Sequence, residues 1–176
     1  MAILRIRQFG DPALRSRATE LESVTDIHHT LVADMLETMR DAPGVGLAGN
    51  QVGVLERLFV WEVEDEHGVV INPVITKRSR KTEEHEEGCL SLPGITYPVV
   101  RPLRVRLEGM DIDGEPLRID AEGFQARVFQ HETDHLDGVL FFDRLPEDLK
   151  REALRTLRDQ ALGIVAPPPV RAEEVL

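Results

Sequence analysis

Six consecutive residues, Gln130-His131-Glu132-Thr133-Asp134-His135, constrain this chain more than any other stretch. They contain H-E-x-x-H. On a helix, His131 and His135 stand one turn apart on a single face, where two imidazoles can grip one metal ion. Glu132 follows the first histidine and can reach a water held by that ion. Phe124, Arg127 and Val128 lie seven, four and three residues before His131, so helical spacing puts all three on the His131 face. Gly123 can open such a helix and Asp137-Gly138 can stop it. The spacing predicts a helix over 124–136, and the competing reading is a surface helix with two solvated histidines.

A catalytic metal usually takes three protein ligands and keeps one position open. The downstream acids Asp137, Asp143, Glu147 and Asp148 belong to no second helical motif. Upstream, the segment Glu87-Gly88-Cys89-Leu90-Ser91-Leu92-Pro93-Gly94 carries the only cysteine. One cysteine excludes a disulfide within the chain, and a lone cysteine is most often a small buried apolar residue. Here Gly88 frees the backbone before Cys89 and Pro93-Gly94 turns it afterwards, which is unlike a core filler inside a strand. A thiolate suits a borderline or soft metal, so Cys89 is a better third donor than the downstream acids.

A second unusual stretch is Gly44-Val45-Gly46-Leu47-Ala48-Gly49-Asn50-Gln51-Val52-Gly53. Its glycine density implies a backbone that is bent, or close to something. It lacks the Gly-Lys-Ser/Thr ending of a phosphate loop, and it follows no strand, which argues against a dinucleotide turn. On spacing alone an ordinary glycine-rich connector remains equally open.

The rest reads as one domain of 176 residues. Residues 3–8 form a short strand or arm, and Asp11 caps a helical piece through Arg15. Residues 26–41 form an amphipathic helix on Ile27, Leu31, Met35, Leu36 and Met39, with His28 and His29 exposed and neutral in role. Strands are expected over 57–63 and 69–75, the second interrupted at Asn72-Pro73 by an edge or a bulge. Asp65-Glu66-His67-Gly68 is read as the turn between them. Further strands are expected over 78–86, 103–107 and 115–121. Pro146 opens a last helix to about Leu162, with Leu149, Ala153, Leu154, Leu157 and Ala161 as its apolar face. The Pro-rich residues 165–176 are read as a mobile tail beyond a domain spanning 1–164. The fold class is α+β: short antiparallel sheets surrounding a central metal-binding helix, with a C-terminal helix outside.

Net charge is −11, which argues against binding nucleic acid through a general basic field. No run of eighteen apolar residues and no long apolar N-terminal core is present, so a cytoplasmic protein without membrane contact is expected. Lys150, Arg151, Arg155 and Arg158 on the last helix could meet RNA in a transient ribosome contact, although a solvated face explains them better.

The three motif segments together resemble the peptide deformylase family, whose patterns are G-φ-G-L-A-A-x-Q (φ apolar), E-G-C-L-S and Q-H-E-x-D-H. They stand here in the same order at Gly44 through Gln51, Glu87 through Ser91, and Gln130 through His135. Residues 6–12 and 138–145 look similar too, so the resemblance covers nearly everything up to about Leu162. One departure is Gly49, where the family most often has alanine, and a slightly looser loop is expected from it.

The resemblance implies removal of the N-formyl group from the initiator formyl-methionine of newly made proteins, with release of formate. It implies Cys89, His131 and His135 as ligands of one divalent ion, Fe(II) first, with Ni, Co or Zn as alternatives. Hydroxide generated at that ion would attack the formyl carbon, with Glu132 as general base and then general acid. The Gln51 side-chain amide and the Leu90 backbone N–H would stabilise the oxyanion. Val45, Phe124 and Val128 would line the methionine slot. The Gly44 and Gly46 backbone would pair with an extended N-formyl-methionyl peptide. Glu87 and Arg101 would brace the Cys89 segment. Two other classes remain: a zinc endopeptidase, whose third ligand would not be Cys89, and a non-catalytic deformylase-like metal-binding module, which would have lost Glu132, Gln51 or a ligand.

Overall fold

The architecture follows from two buried strands and one helix that is polar yet buried. In a computed structural model, which describes residues 2–164, the elements run as a short 3-10 turn Pro12–Arg15, α1 (Asp26–Asp41), β1 (Gly46–Ala48), a 3-10 turn Gly49–Val52, β2 (Leu58–Val63), β3 (Glu66–Arg78), β4 (Thr82–Glu87), β5 (Tyr97–Pro102), β6 (Arg104–Met110), β7 (Pro116–Glu122), α2 (Gly123–Leu136), a 3-10 turn Phe141–Arg144 and α3 (Glu147–Ala161). Strands β1-β2-β3-β6-β7 form one antiparallel sheet in that order, and β4-β5 form a second. The tail expected over 165–176 lies outside the described residues.

Strand β2 reads as a near-continuous apolar run because both of its faces are covered. Phe59, Trp61 and Val63 pack with Ala126, Val128, Phe129 and Leu136 of α2. Leu58 and Val60 join Val32, Met35 and Met39 of α1 on the other face. A third cluster holds Cys89, Leu92, Ile95 and Val99 against Leu140, Phe141, Phe142 and the Ala153 and Leu157 face of α3. Helix α2 therefore sits between the sheets, and residues 126–136 are all buried. Its histidines, carboxylates and arginine must find partners inside the protein, because burying a polar group unpaired is costly.

Several expectations need correction. His28 is buried, not neutral: its Nδ1 accepts from the Thr25 backbone N–H at 2.8 Å, closing the start of α1, and its Nε2 lies 3.3 Å from Glu56. That capping rotates the helix so that His28, Val32, Met35 and Met39 face inward and Ile27 is 77% exposed. The turn expected over 65–68 is shorter, since Glu66, His67 and Gly68 already pair in the β2–β3 ladder and the chain reverses at Glu64, φ 56°. Asn72-Pro73 marks a bulge and not an edge, because β3 lies mid-sheet and its register with β6 shifts between Ile71 and Val74. Asn72 has φ 51° there, and its side chain accepts from Leu21 N–H and donates to Leu21 C=O. The expected strand 78–86 divides, its start ending β3 and its end forming β4, which pairs with a strand, β5, that alternation did not reveal. Ala161 is exposed, so the apolar face of α3 is narrower than expected.

Candidate metal centre

Helix α2 presents His131 and His135 one turn apart, as the spacing requires, with ring centroids 4.8 Å apart. Cys89 reaches the same point from the turn after β4. The Cys89 Sγ lies 3.2 Å from His135 Nε2, which lies 3.2 Å from His131 Nε2. All three ligand atoms fall within 4.8 Å of one another, and this is the one such group among the described residues. All three side chains are buried.

Glu87 determines what His131 can offer. The Glu87 Oε2 sits 3.1 Å from His131 Nδ1, so that nitrogen donates to the carboxylate and Nε2 is the atom turned toward the other two donors. Burial holds the His135 imidazole well below its ordinary range, reinforced by the charge of Arg101, so it is neutral. Two imidazole nitrogens and a sulfur thus converge in one buried space. The donor set therefore fits a divalent ion of borderline softness.

The surrounding charges form one buried network. Arg101 donates to both oxygens of Glu87, Nε to Oε1 at 2.6 Å and Nη2 to Oε2 at 2.7 Å, and its Nη1 donates to Asp134 at 2.7 Å. Arg127 donates to Glu87 Oε1 at 2.6 Å and to the Val99 carbonyl at 2.9 Å. Arg144 holds both oxygens of Asp134. Burial alone would raise the Glu87 pKa, but hydrogen bonds from Arg101 and His131 outweigh it and hold the carboxyl well below its usual range. The network joins β4, β5 and α2, the elements that carry or flank the three donors. The expected Glu87–Arg101 pair is present, while Arg127, Asp134 and Arg144 are partners that sequence reasoning missed.

Glu132 is fully buried, and neither carboxyl oxygen has a partner within the protein. Burial pushes its pKa well above the ordinary value; Arg101 opposes this and the charges of Glu87 and Asp134 add to it. A buried carboxyl with no partner in the protein and a raised pKa is placed to exchange a proton. Burial likewise pushes the Cys89 thiol up, and hydrogen bonds from Ser91 oppose it. Such a thiol yields its proton readily only to a replacing cation.

The glycine stretch reaches the same centre, which decides against a plain connector. Its Gln51 is fully buried, with Oε1 accepting from the Ala48 N–H at 2.8 Å. That bond fixes the amide so that Nε2 points to Ser91 Oγ at 3.2 Å and to Cys89 Sγ at 3.5 Å. Gly44 lies beneath Leu90: a Cβ there would sit 2.7 Å from the Leu90 Cδ1. Gly49 contradicts the expectation of a looser loop, because a Cβ would meet the Glu56 carbonyl at 2.8 Å and the Val54 carbonyl at 3.0 Å. The missing methyl is what lets the loop close on that backbone. Val45 and Val128 both belong to the cluster on the α2 side of the sheet, Val128 fully buried and Val45 half-buried. Phe124, two turns before His131 in α2, stands 52% exposed at the start of the helix. Ser91 and Asn50, both fully buried beside these groups, were not singled out from the sequence. Their signal was adjacency to Cys89 and Gln51.

Comparison with known proteins agrees with this geometry. The polypeptide deformylase family model matches residues 3–151. A peptide deformylase of Acidothermus cellulolyticus is 46% identical over 162 residues, 90% of this chain and 88% of that protein. Peptide deformylase 1 of Corynebacterium glutamicum is 47% identical, covering 92% and 98%. The crystal structure of peptide deformylase from Thermus thermophilus superimposes with a TM-score of 0.86 at 47% identity, covering 92% of this chain and 96% of that one. That of Ehrlichia chaffeensis peptide deformylase in complex with actinonin gives 0.87 at 35% identity, covering 91% and 98%. With matches of this extent and a metal-donor triad drawn from all the expected motif positions, the chain belongs to the polypeptide deformylase family.

Proposed function

We propose that this protein removes the formyl group from the N-terminal formyl-methionine of newly made proteins, releasing formate and a free α-amine. The observation that carries the reading is Glu132: a fully buried carboxyl without a partner, one residue from His131 at a Cys-His-His donor cluster. When bound by Cys89, His131 and His135, a divalent ion supplies the Lewis acidity that makes a water nucleophilic near neutral pH. Glu132 takes the proton of the attacking water and later gives it to the departing amine, one carboxylate serving both steps because they occur in sequence. The Gln51 Nε2 amide and the Leu90 backbone N–H donate to the oxygen that becomes negative in the tetrahedral adduct. Gly44 and Gly46 offer backbone to an extended peptide, and Val45 and Val128 line the methionine slot with Phe124 at its exposed rim.

We take Fe(II) as the resident ion on family likeness, since the donor set itself suits Fe, Co, Ni and Zn. No helix among the described residues is long and apolar enough to cross a membrane, and we place the activity in the cytoplasm, where formylated chains are made. We place the catalytic unit within residues 1–164. For Lys150, Arg151, Arg155 and Arg158 on α3 we keep a solvated face as the better reading than a transient ribosome contact, Lys150 being paired with Asp143 and the arginines being exposed. The endopeptidase reading needed a third donor other than Cys89, yet Cys89 completes the cluster. The non-catalytic reading needed a missing Glu132, Gln51 or ligand, and all are in place.

The test is formate release from formyl-Met-Ala-Ser by anaerobically prepared, iron- or nickel-loaded protein, beside Glu132→Ala. Release by the wild type and almost none by the variant is expected. No release from folded, metal-loaded wild type would overturn the reading.

A further inference from the structure

Asn50 occupies the position that the family pattern leaves open, between Gly49 and Gln51, and it is fully buried. Its Nδ2 donates to the backbone carbonyl of His135. That carbonyl lies in the last turn of α2, where helix carbonyls lack intrahelical partners, and it also accepts the Gly138 N–H at 2.9 Å. Among the described residues, no other hydrogen bond joins residues 44–53 to α2. The next side chain, Gln51, places its amide on Cys89 and Ser91. A single side-chain bond thus ties the backbone of one metal donor to the loop whose amide faces another.

The rest of Asn50 argues that this bond is not there for stability. Its Oδ1 is buried without a partner, and an orphan acceptor of this kind is destabilising. A leucine, branched at the same carbon though larger, would remove the orphan and leave the His135 carbonyl bonded to Gly138. The neighbouring Gly49, packed against the Val54 and Glu56 carbonyls, prevents the loop from moving to compensate.

We propose that Asn50 is a positioning residue: by holding the His135 carbonyl, it fixes the Gln51 amide relative to the metal donors. The inference rests on the deformylase reading for the role of Gln51, but its effect on His135 is independent of that role. Partners in the shell around a metal ligand typically change affinity or activity by about 10–100-fold when lost.

The experiment compares wild type, Asn50→Leu and Asn50→Ala, each loaded with Co(II). It measures the visible spectrum of the bound ion, kcat and KM for formyl-Met-Ala-Ser, and the thermal midpoint. For Asn50→Leu we expect kcat to fall about 10-fold or more, KM to stay within about twofold and the Co(II) bands to shift. If the leucine variant does not fold, Asn50→Ala, which adds no bulk, carries the same readouts. Unchanged kcat, or a fall in kcat with an unshifted Co(II) spectrum and a lowered midpoint, overturns the proposal. If the wild type itself releases no formate, the deformylase reading fails separately. The Co(II) spectra then decide alone, shifted bands supporting the hold on His135 and unshifted bands overturning it.

Discussion

Gly46 and Glu132 touch so closely that position 46 has no room for a side chain: a Cβ would lie 2.7 Å from the Glu132 Cδ and 2.9 Å from its Cγ. Gly46 is held by its pairing with Trp61 in the β1–β2 ladder, so it cannot retreat cheaply. The Glu132 carboxyl is the end of a flexible chain and will give way first. Gly46→Ala is therefore expected to cost little stability and much activity. General acid–base catalysis contributes about 10²–10⁴-fold, and displacing the carboxyl should forfeit at least the lower figure in kcat. Metal content should stay at the wild-type level, because the three atoms nearest a Cβ at position 46 all belong to Glu132 and none to a metal donor. Wild-type kcat in a folded, metal-loaded Gly46→Ala protein would show that the contact does not position Glu132.

The buried network gives a stability prediction of different kind. Arg101 neutralises Glu87 and Asp134 together, and all three are nearly inaccessible to water. Its pKa is raised, because those two carboxylates outweigh the burial that would lower it. Arg101→Met keeps volume and removes the charge, leaving two buried carboxylates short of a partner. Breaking a buried pair from one side costs about 3–5 kcal/mol. Urea unfolding of the metal-loaded proteins measures it, and a loss below about 1 kcal/mol would mean that Arg127 and Arg144 alone suffice.

These two cases mark what the sequence did and did not disclose. His131, Glu132 and His135 were legible because a helix converts a spacing of four into a shared face. Cys89 was legible because glycine and proline bracket it. Arg127 was placed on the correct face, yet its bond to Glu87 spans 40 residues and leaves no periodic trace. The same holds for Asn50, whose partner lies 85 residues away. In α1, hydrophobic periodicity selected Ile27, whereas the bond between His28 and the Thr25 backbone set the helix rotation. Strand β5 went unread because it runs Tyr-Pro-Val-Val-Arg-Pro, and two prolines mask alternation.

Gly49 separates packing from catalysis. A methyl there would press on the backbone carbonyls of Glu56 and Val54, which a side-chain rotation cannot relieve. Forcing one extra carbon into a closed site costs about 1–3 kcal/mol. Gly49→Ala should lower the thermal midpoint while leaving the identity of the metal ligands unchanged. An unchanged midpoint would show that residues 54–58 yield without cost, and that the absent methyl is incidental.

Asp143 gives the fold a pH dependence outside the metal centre. It accepts from Arg15, from Lys150 at 3.0 Å and from the Leu140 N–H at 3.0 Å, so it links the Pro12–Arg15 turn, the Phe141–Arg144 turn and α3. Burial would raise its pKa, but those hydrogen bonds and the charge of Arg15 hold it below the ordinary aspartate value. A carboxyl depressed in the folded state stabilises the fold fully above its unfolded pKa, about 3.9. That stabilisation is lost as pH falls through the lower, folded pKa. Asp143→Asn should therefore be less stable than wild type at pH 7, with a gap that narrows once the pH drops below about 4. Urea midpoints for both proteins at several pH values read the gap directly. A gap that stays constant down to pH 3 would assign the role of Asp143 to its shape rather than its charge.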